Sequence, residues 1–328
     1  MPAECIPPCL TLTFTGAAEA HQAAFDVGSH RARCRRLVKS SVPPHTVGPV
    51  QPFILSNNDV RVPRIIYGTA WKKSATAGLV SLAVQNGFRG IDTACQPKHY
   101  DEAGVGAGIA AGLGDGPTRT DLYLQTKFTS LSGQDPDRVP YDPKALLTDQ
   151  VAQSISVSLQ NLQTDYLDCV LLHSPMPTMA QTLSVWRALE SLVKSKVIRQ
   201  IGISNCYDLK DLTTLYEAAR FKPAVVQNRF YADTHYDKEI RAYCDQQQII
   251  YQSFWTLSAN PHLLAGKTIT ALCSTYKRTP VQILFRYLTQ IGIVPLTGTK
   301  SELHMREDRA IFDFELSSEE RRAIHELL

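Results

Sequence analysis

Beyond residue 52 the chain alternates short apolar runs with longer amphipathic stretches. Eight runs, at 64–69, 88–92, 121–128, 166–173, 197–204, 224–228, 249–254 and 291–296, have the length and near-continuous apolar character of strands buried on both faces. The stretches between them carry helical spacing. In 146–162, Leu147, Val151, Ser154/Ile155, Ser158 and Leu162 recur on one face, and Pro143 just ahead suits a helix start. In 208–219, Leu209, Leu212, Leu215, Tyr216 and Ala219 repeat the pattern. A last helix is expected over 318–328. Ahead of the first run, 53–55 and 60–62 flank Ser56-Asn57-Asn58-Asp59. Asn and Asp accept the backbone conformations of a tight turn, so a β-hairpin is expected there.

Strands that alternate with helices pair in parallel through right-handed crossovers. Eight such units close into a (β/α)8 TIM barrel, an α/β fold, with a doubly wound sheet as the second choice. The barrel has a functional consequence, because its active sites lie where strands end. The second strand ends in Asp92, the third in Lys127, the fourth in His173, the fifth in Ser204-Asn205 and the sixth in Gln227-Asn228.

Neighbouring strands run about 4.8 Å apart, so Asp92, Lys127 and His173 meet over one corner of the mouth. A lysine there needs a partner or water, and Asp92 is the obvious partner. The two form either a plain structural ion pair or the tuning half of a proton donor. Tyr100 lies in the loop after the second strand. A tyrosine titrates near ~10, and a neighbouring cation lowers that. Tyr100, Lys127 and Asp92 then read as a general acid tuned by charge, with His173 donating a hydrogen bond to a carbonyl oxygen. Such a site protonates an oxygen, which suits carbonyl reduction by hydride.

Composition narrows the class. The chain has 328 residues with 34 Lys+Arg against 31 Asp+Glu and a net charge of +3, and no basic run is interleaved with aromatics. No nucleic-acid partner is expected. No apolar run is long enough to span a membrane. The eight cysteines form no CxxC and no zinc spacing with histidine, so reduced thiols, a cytoplasmic protein and no metal are expected. Residues 1–50 are rich in proline, carry a basic cluster at 31–39 and show no period. They read as a disordered extension ahead of a barrel over 51–328. Glu4, Glu19 and Asp26 argue against a transit peptide.

From about residue 52 to the end, the sequence resembles the aldo-keto reductase superfamily. The carrying motifs are Gly87-Phe88-Arg89-Gly90-Ile91-Asp92-Thr93-Ala94, Tyr100-Asp101-Glu102, Thr126-Lys127, Leu171-Leu172-His173-Ser174-Pro175, Ile201-Gly202-Ile203-Ser204-Asn205 and Val226-Gln227-Asn228. Each is weak alone; their order is specific. The resemblance implies an NAD(P)H-dependent barrel that reduces aldehydes and ketones, commonly as a monomer, with the hairpin plugging the barrel bottom. It implies Tyr100 as general acid, Lys127 and Asp92 as its tuning pair and His173 as carbonyl orienter. Ser204, Asn205 and Gln227 fall where the nicotinamide carboxamide is held. Phe254 is the expected stacking aromatic, with Trp255 as fallback; an alignment on Ser253 would put Gln252 there instead.

Departures from the pattern bear on the site. Cys95–His99 adds three residues between Asp92 and Tyr100. The late motif that grips the adenosine phosphate usually reads Pro-Lys-Ser with an Arg and an Asn beyond. Here Leu296 replaces the Lys, and His304 and Asp308 fall at the later positions. Lys300 or Arg306 is the candidate replacement, since a 2′-phosphate needs cationic donors. NADPH is the expected cofactor, with NADH as the alternative. The chain stops directly after 318–328, so an open pocket with loose specificity is expected. A non-catalytic cofactor-binding regulator on the same barrel is the competing function.

Two motifs are decoys. Gly106-Ala107-Gly108-Ile109-Ala110-Ala111 fits a dinucleotide fingerprint but lacks a strand directly before it, and reads as a small-residue helix packing on the sheet. Tyr123 and Lys127 fit Tyr-x-x-x-Lys, a pair that works at helical spacing; on a strand they lie about 13 Å apart.

Overall fold

The computed structural model describes residues 53–328. The expectation of a disordered extension over 1–50 lies outside these residues. The hairpin forms from β1 (Phe53–Leu55) and β2 (Arg61–Pro63), antiparallel, with Leu55 opposite Arg61. Eight further strands follow: β3 (Ile66–Gly68), β4 (Gly90–Asp92), β5 (Tyr123–Phe128), β6 (Leu167–Leu172), β7 (Ile198–Ser204), β8 (Val225–Arg229), β9 (Ile250–Phe254) and β10 (Val294–Thr297). They pair in parallel in chain order, and β10 closes on β3. All eight apolar runs therefore became strands, and closure excludes the doubly wound sheet.

The hairpin seals the barrel from below. Val62 is fully buried among Ile66, Tyr123, Cys169, Leu171, Val225, Ile250 and Val294. The outer ring is α1 (Thr76–Gln85), α2 (Glu102–Leu113), α3 (Leu147–Leu162), α4 (Met179–Lys194), α5 (Leu209–Ala218), α6 (Lys238–Gln246), α7 (Pro261–Leu264), α8 (Lys267–Tyr276), α9 (Pro280–Gln290), α10 (Glu302–Arg309) and α11 (Ser318–His325). On α3 the predicted face is the buried one, with Val151, Ile155, Ser158 and Leu162 inward. On α5 the Asp208 carboxylate accepts from the Lys210 and Asp211 amides, satisfying two of the helix's unpaired donors.

One detail is corrected. The small residues of α2 serve helix contacts rather than the sheet. A side chain at Gly106 would strike the Asn161 carbonyl of α3, and one at Gly108 or Gly112 would strike α1. Tyr123 and Lys127 both lie on β5, as the strand reading required. No helix among the described residues is long and apolar enough to cross a membrane.

Candidate active site

The carboxyl ends of the strands surround a cavity of roughly 710 Å³. Asp92 is the last residue of β4, and Lys127 reaches it from β5. The Lys127 ammonium donates to Asp92 Oδ2 at 2.6 Å and to the Thr93 carbonyl at 2.8 Å. Both side chains are buried, at 1% and 4% exposure. A buried pair this close needs its remaining valences satisfied. Asp92 Oδ1 accepts from Gln125 Nε2 at 2.7 Å and from Gln227 Nε2 at 3.0 Å. Gln252 Oε1 accepts from both amides, at 2.8 and 2.9 Å. A polar layer thus crosses the barrel directly beneath the ion pair.

Tyr100 stands above it. The three added residues fold into a compact turn, in which the His99 and Tyr100 amides both donate to the Gln96 carbonyl. The insertion is absorbed in the loop, and Tyr100 lines the cavity beside Asp92 and His173. Lys127 Nζ lies 5.3 Å from the Tyr100 ring centre, and the His173 ring stands edge-on at 6.1 Å. All four predicted residues therefore converge.

The electrostatics depart from the sequence expectation in one sign. Burial raises the Tyr100 pKa, and the opposing effect of Lys127 is the smaller one. Lys127 is itself raised: burial opposes its charge, but Asp92, Tyr100 and Cys169 together outweigh that. His173 is pushed down to about 3 by burial, then by Lys127 and His99. It is a neutral imidazole.

The Thr129 hydroxyl meets that imidazole. It is buried and lies 2.6 Å from His173 Nδ1, and the ring tautomer decides which of the two donates. With the imidazole proton on Nε2, the hydroxyl donates to Nδ1 and the Nε2–H is left for the cavity.

Ser204, Asn205, Gln227 and Phe254 all line the cavity. Ser204 donates to the Gln227 carbonyl at 2.7 Å, and Asn205 Nδ2 to the His173 carbonyl at 2.8 Å. Asn205 adopts a left-handed backbone (φ 52°), which asparagine tolerates. Gln227 spends its amide N–H groups inward and keeps Oε1 without a protein partner, a free acceptor at the cavity wall. Gln252 belongs to the buried layer, so Phe254 and Trp255 are the aromatic surfaces available. Trp71 also lines the cavity, its ring tilted against His99 with centroids 3.9 Å apart.

The β10–α10 side differs from expectation. Leu296, Thr297, His304, Glu307 and Asp308 line the cavity there; Lys300 and Arg306 do not. Arg306 is paired with Glu302 at 3.1 Å on the exposed face of α10. Asp308 accepts from the Thr297 hydroxyl at 2.7 Å, and burial raises its pKa to about 6. The nearest buried cation is one the sequence reading passed over. Lys72 donates to the Gly298 carbonyl at 2.8 Å, and burial, then Lys300, lower its pKa to about 8. Gln125 and Thr129 were missed as well, and Gln252 was weighed only as a stacking position. The available signal was a polar residue two positions from an inward-facing one, on the same strand face.

The profile of the Aldo/keto reductase family matches residues 64–328. The chain belongs to the aldo/keto reductase family. It is 33% identical over 242 residues to the glyoxal reductase of Bacillus subtilis, covering 74% of this chain and 79% of that one. It is 28% identical over 281 residues to the methylglyoxal reductase DkgA of Yersinia pestis, covering 85% and 93%. Among solved structures, an aldo-keto reductase of Bombyx mori in complex with NADP aligns with TM-score 0.72 at 26% identity, covering 84% of this chain and 92% of that one. As an aldo/keto reductase the chain is an oxidoreductase of carbonyl groups.

Proposed function

We propose that this aldo/keto reductase reduces an aldehyde or ketone to an alcohol with hydride from NADPH, at the cluster Asp92, Tyr100, Lys127 and His173. The observation that carries the reading is the wholly buried Lys127–Asp92 pair aimed at a cavity-facing tyrosine. Removing two charges from water is unfavourable, and such a pair is weak evidence for stability. Its position beneath Tyr100 gives it a chemical use.

When bound, the reduced nicotinamide supplies the hydride. The chain supplies the rest. His173 Nε2–H holds the carbonyl oxygen, and Tyr100 gives its phenolic proton to that oxygen. A raised pKa keeps Tyr100 protonated and ready to donate. The Lys127 ammonium stabilises the phenolate that remains, and Asp92 holds Lys127 in place. The residues present fit the cofactor's carboxamide: Gln227 Oε1 is a free acceptor beside Ser204 and Asn205, and Phe254 offers a flat face. A phosphate finds cations in Lys72 and Lys300 beside Gly298; Arg306 points elsewhere. The relatives named glyoxal and methylglyoxal reductase make small α-dicarbonyls the first substrates to try.

The test is NADPH oxidation by the full chain with methylglyoxal, benzaldehyde and an aldose, beside Tyr100→Phe. Turnover is expected to drop about 10²–10⁴-fold in the variant while NADPH still quenches tryptophan emission. Equal turnover in the two proteins would remove Tyr100 from the mechanism. An inert wild type that binds NADPH would favour the regulator.

A further inference from the structure

Arg229 is the one Lys or Arg among the described residues that line the mouth cavity. It is the last residue of β8, two beyond Gln227. Side chains two apart on a strand share a face, so Arg229 rises one rung above the Gln227 amide. Its register partner on β9 is Phe254. The backbone is pinned, because the Arg229 amide donates to the Tyr207 hydroxyl at 3.1 Å. The guanidinium carbon lies over Trp255, 4.0 Å from the ring centre, with Tyr231 at 5.2 Å.

This cation has no counter-ion. Its buried Nε has no hydrogen-bond partner, and none of the ion pairs among the described residues includes it. Asp92 and Asp237, at this end of the barrel, are occupied. Asp92 serves Lys127, and Asp237 Oδ2 accepts from Asn228 at 2.7 Å and Tyr251 at 3.0 Å. Trp255 keeps a left-handed backbone (φ 55°) and 49% exposure while the guanidinium rests on its face. A bulky residue held there is a strained position that the surroundings must maintain. Two aromatic rings beside the guanidinium leave its two terminal nitrogens, with four N–H donors, free for a planar or tetrahedral oxyanion.

We propose that Arg229 is an anion-binding residue of the mouth, which takes a carboxylate or phosphate of a ligand seated against Phe254. The proposal rests on the reductase reading only in placing a ligand in that cavity. The anion has two possible sources, a carboxylate on the carbonyl substrate or a phosphate of the cofactor. Either is held by charge-assisted hydrogen bonds.

The test begins without turnover. Of the three tryptophans, Trp186 is fully buried, so an anion-dependent emission change reports Trp71 or Trp255, and Trp255→Phe separates them. Benzoate and inorganic pyrophosphate are titrated into the full chain, with benzamide as the neutral control. At least one anion is expected to bind the wild type, roughly tenfold or more weakly in Arg229→Gln, and partly restored in Arg229→Lys. Matching thermal melts of the three proteins show that the change is local. Two further arms name the source. A KM raised for 4-carboxybenzaldehyde but not for benzaldehyde assigns the substrate. NADH and NADPH binding weakened alike assigns the cofactor. Equal anion affinity in wild type and Arg229→Gln, or no binding to the wild type, overturns the proposal. Failure of the Tyr100 mechanism leaves these titrations untouched, so the two can fail separately.

Discussion

The barrel buries a carboxylate at each end, and the two are partnered differently. At the mouth, Asp92 and Lys127 are both removed from solvent and tied into an amide layer. At the foot, Asp168 near the start of β6 is 3% exposed, but its arginines are not buried with it. Arg119 lies at 2.9 Å with 20% exposure and Arg199 at 3.0 Å with 46%. Asp168 also accepts from the Leu124 amide at 3.0 Å, so it ties the starts of β5, β6 and β7 together. The foot keeps its cations hydrated, as a structural tie should. The mouth desolvates its cation beneath a tyrosine, where burial has a use only if charge develops there. The larger hollow, roughly 1240 Å³, is at the foot, so size alone would select the wrong end.

The sharpest way to break this comparison is one variant at each end. Lys127→Met leaves a buried carboxylate unpaired, which costs about 3–5 kcal/mol of stability. Turnover is expected to fall about 10²–10⁴-fold. Adding Asp92→Asn, which keeps an acceptor for the Gln125 and Gln227 amides, should recover most of the stability and none of the turnover. Asp168→Asn should cost about 1–3 kcal/mol, at the lower end because both arginines can hydrate, with turnover per folded molecule unchanged. Denaturant melts with active-site-normalised kcat measure both. A comparable loss of kcat in Asp168→Asn would end the division of labour between mouth and foot.

What the sequence made legible follows the same division. Strand runs and their terminal residues were readable because period and position are local. Asp92, Lys127, His173, Ser204, Asn205 and Gln227 could be named from where runs stop. The Gln125–Gln252 pair could not, because it joins strands β5 and β9 across the barrel, and only closure brings them together. Lys72 and Arg229 were illegible for a related reason: each sits in a loop or at a strand end whose direction depends on its neighbours. The sign of the Tyr100 shift failed differently. A cation at short range was visible in the sequence, whereas the burial that outweighs it was not. Of the two cations expected at the adenosine end, Arg306 is turned outward by helix α10 onto Glu302.

A smaller effect tests how the mouth is ordered. Thr129→Val keeps the shape and removes the hydroxyl that lies against His173 Nδ1. The imidazole proton is then free to occupy either nitrogen, so kcat should drop roughly tenfold while the melting temperature moves little. Thr129→Ser should restore it. The ¹⁵N shifts of the His173 ring report the tautomer directly. Wild-type shifts with the proton on Nδ1, or a Val variant with unchanged kcat, would remove Thr129 from this role.

The smallest expected effect is the absence of one. His173 faces Lys127 and Tyr100 within the mouth, with His99 across the loop, and its pKa is pushed from 6.5 to about 3 by burial, Lys127 and His99. The unfolded chain therefore binds this proton more readily than the folded one. Stability falls as pH drops from about 6.5 towards 3, and above that window this group contributes no pH dependence. The orienting N–H keeps one form throughout the neutral range, so kcat/KM should show no histidine limb near 6.5. A profile between pH 5 and 8 on wild type and His99→Phe decides it. His99 is also lowered, by burial and then Lys98, and a limb lost with it would be its own. Asp308 lines the same cavity with its pKa raised to about 6, so only a limb that survives in both His99→Phe and Asp308→Asn places a titrating proton on His173, and the mouth would then be wetter than its buried ion pair requires. No histidine lines the hollow at the foot, so Asp168→Asn should leave the profile as it is in the wild type.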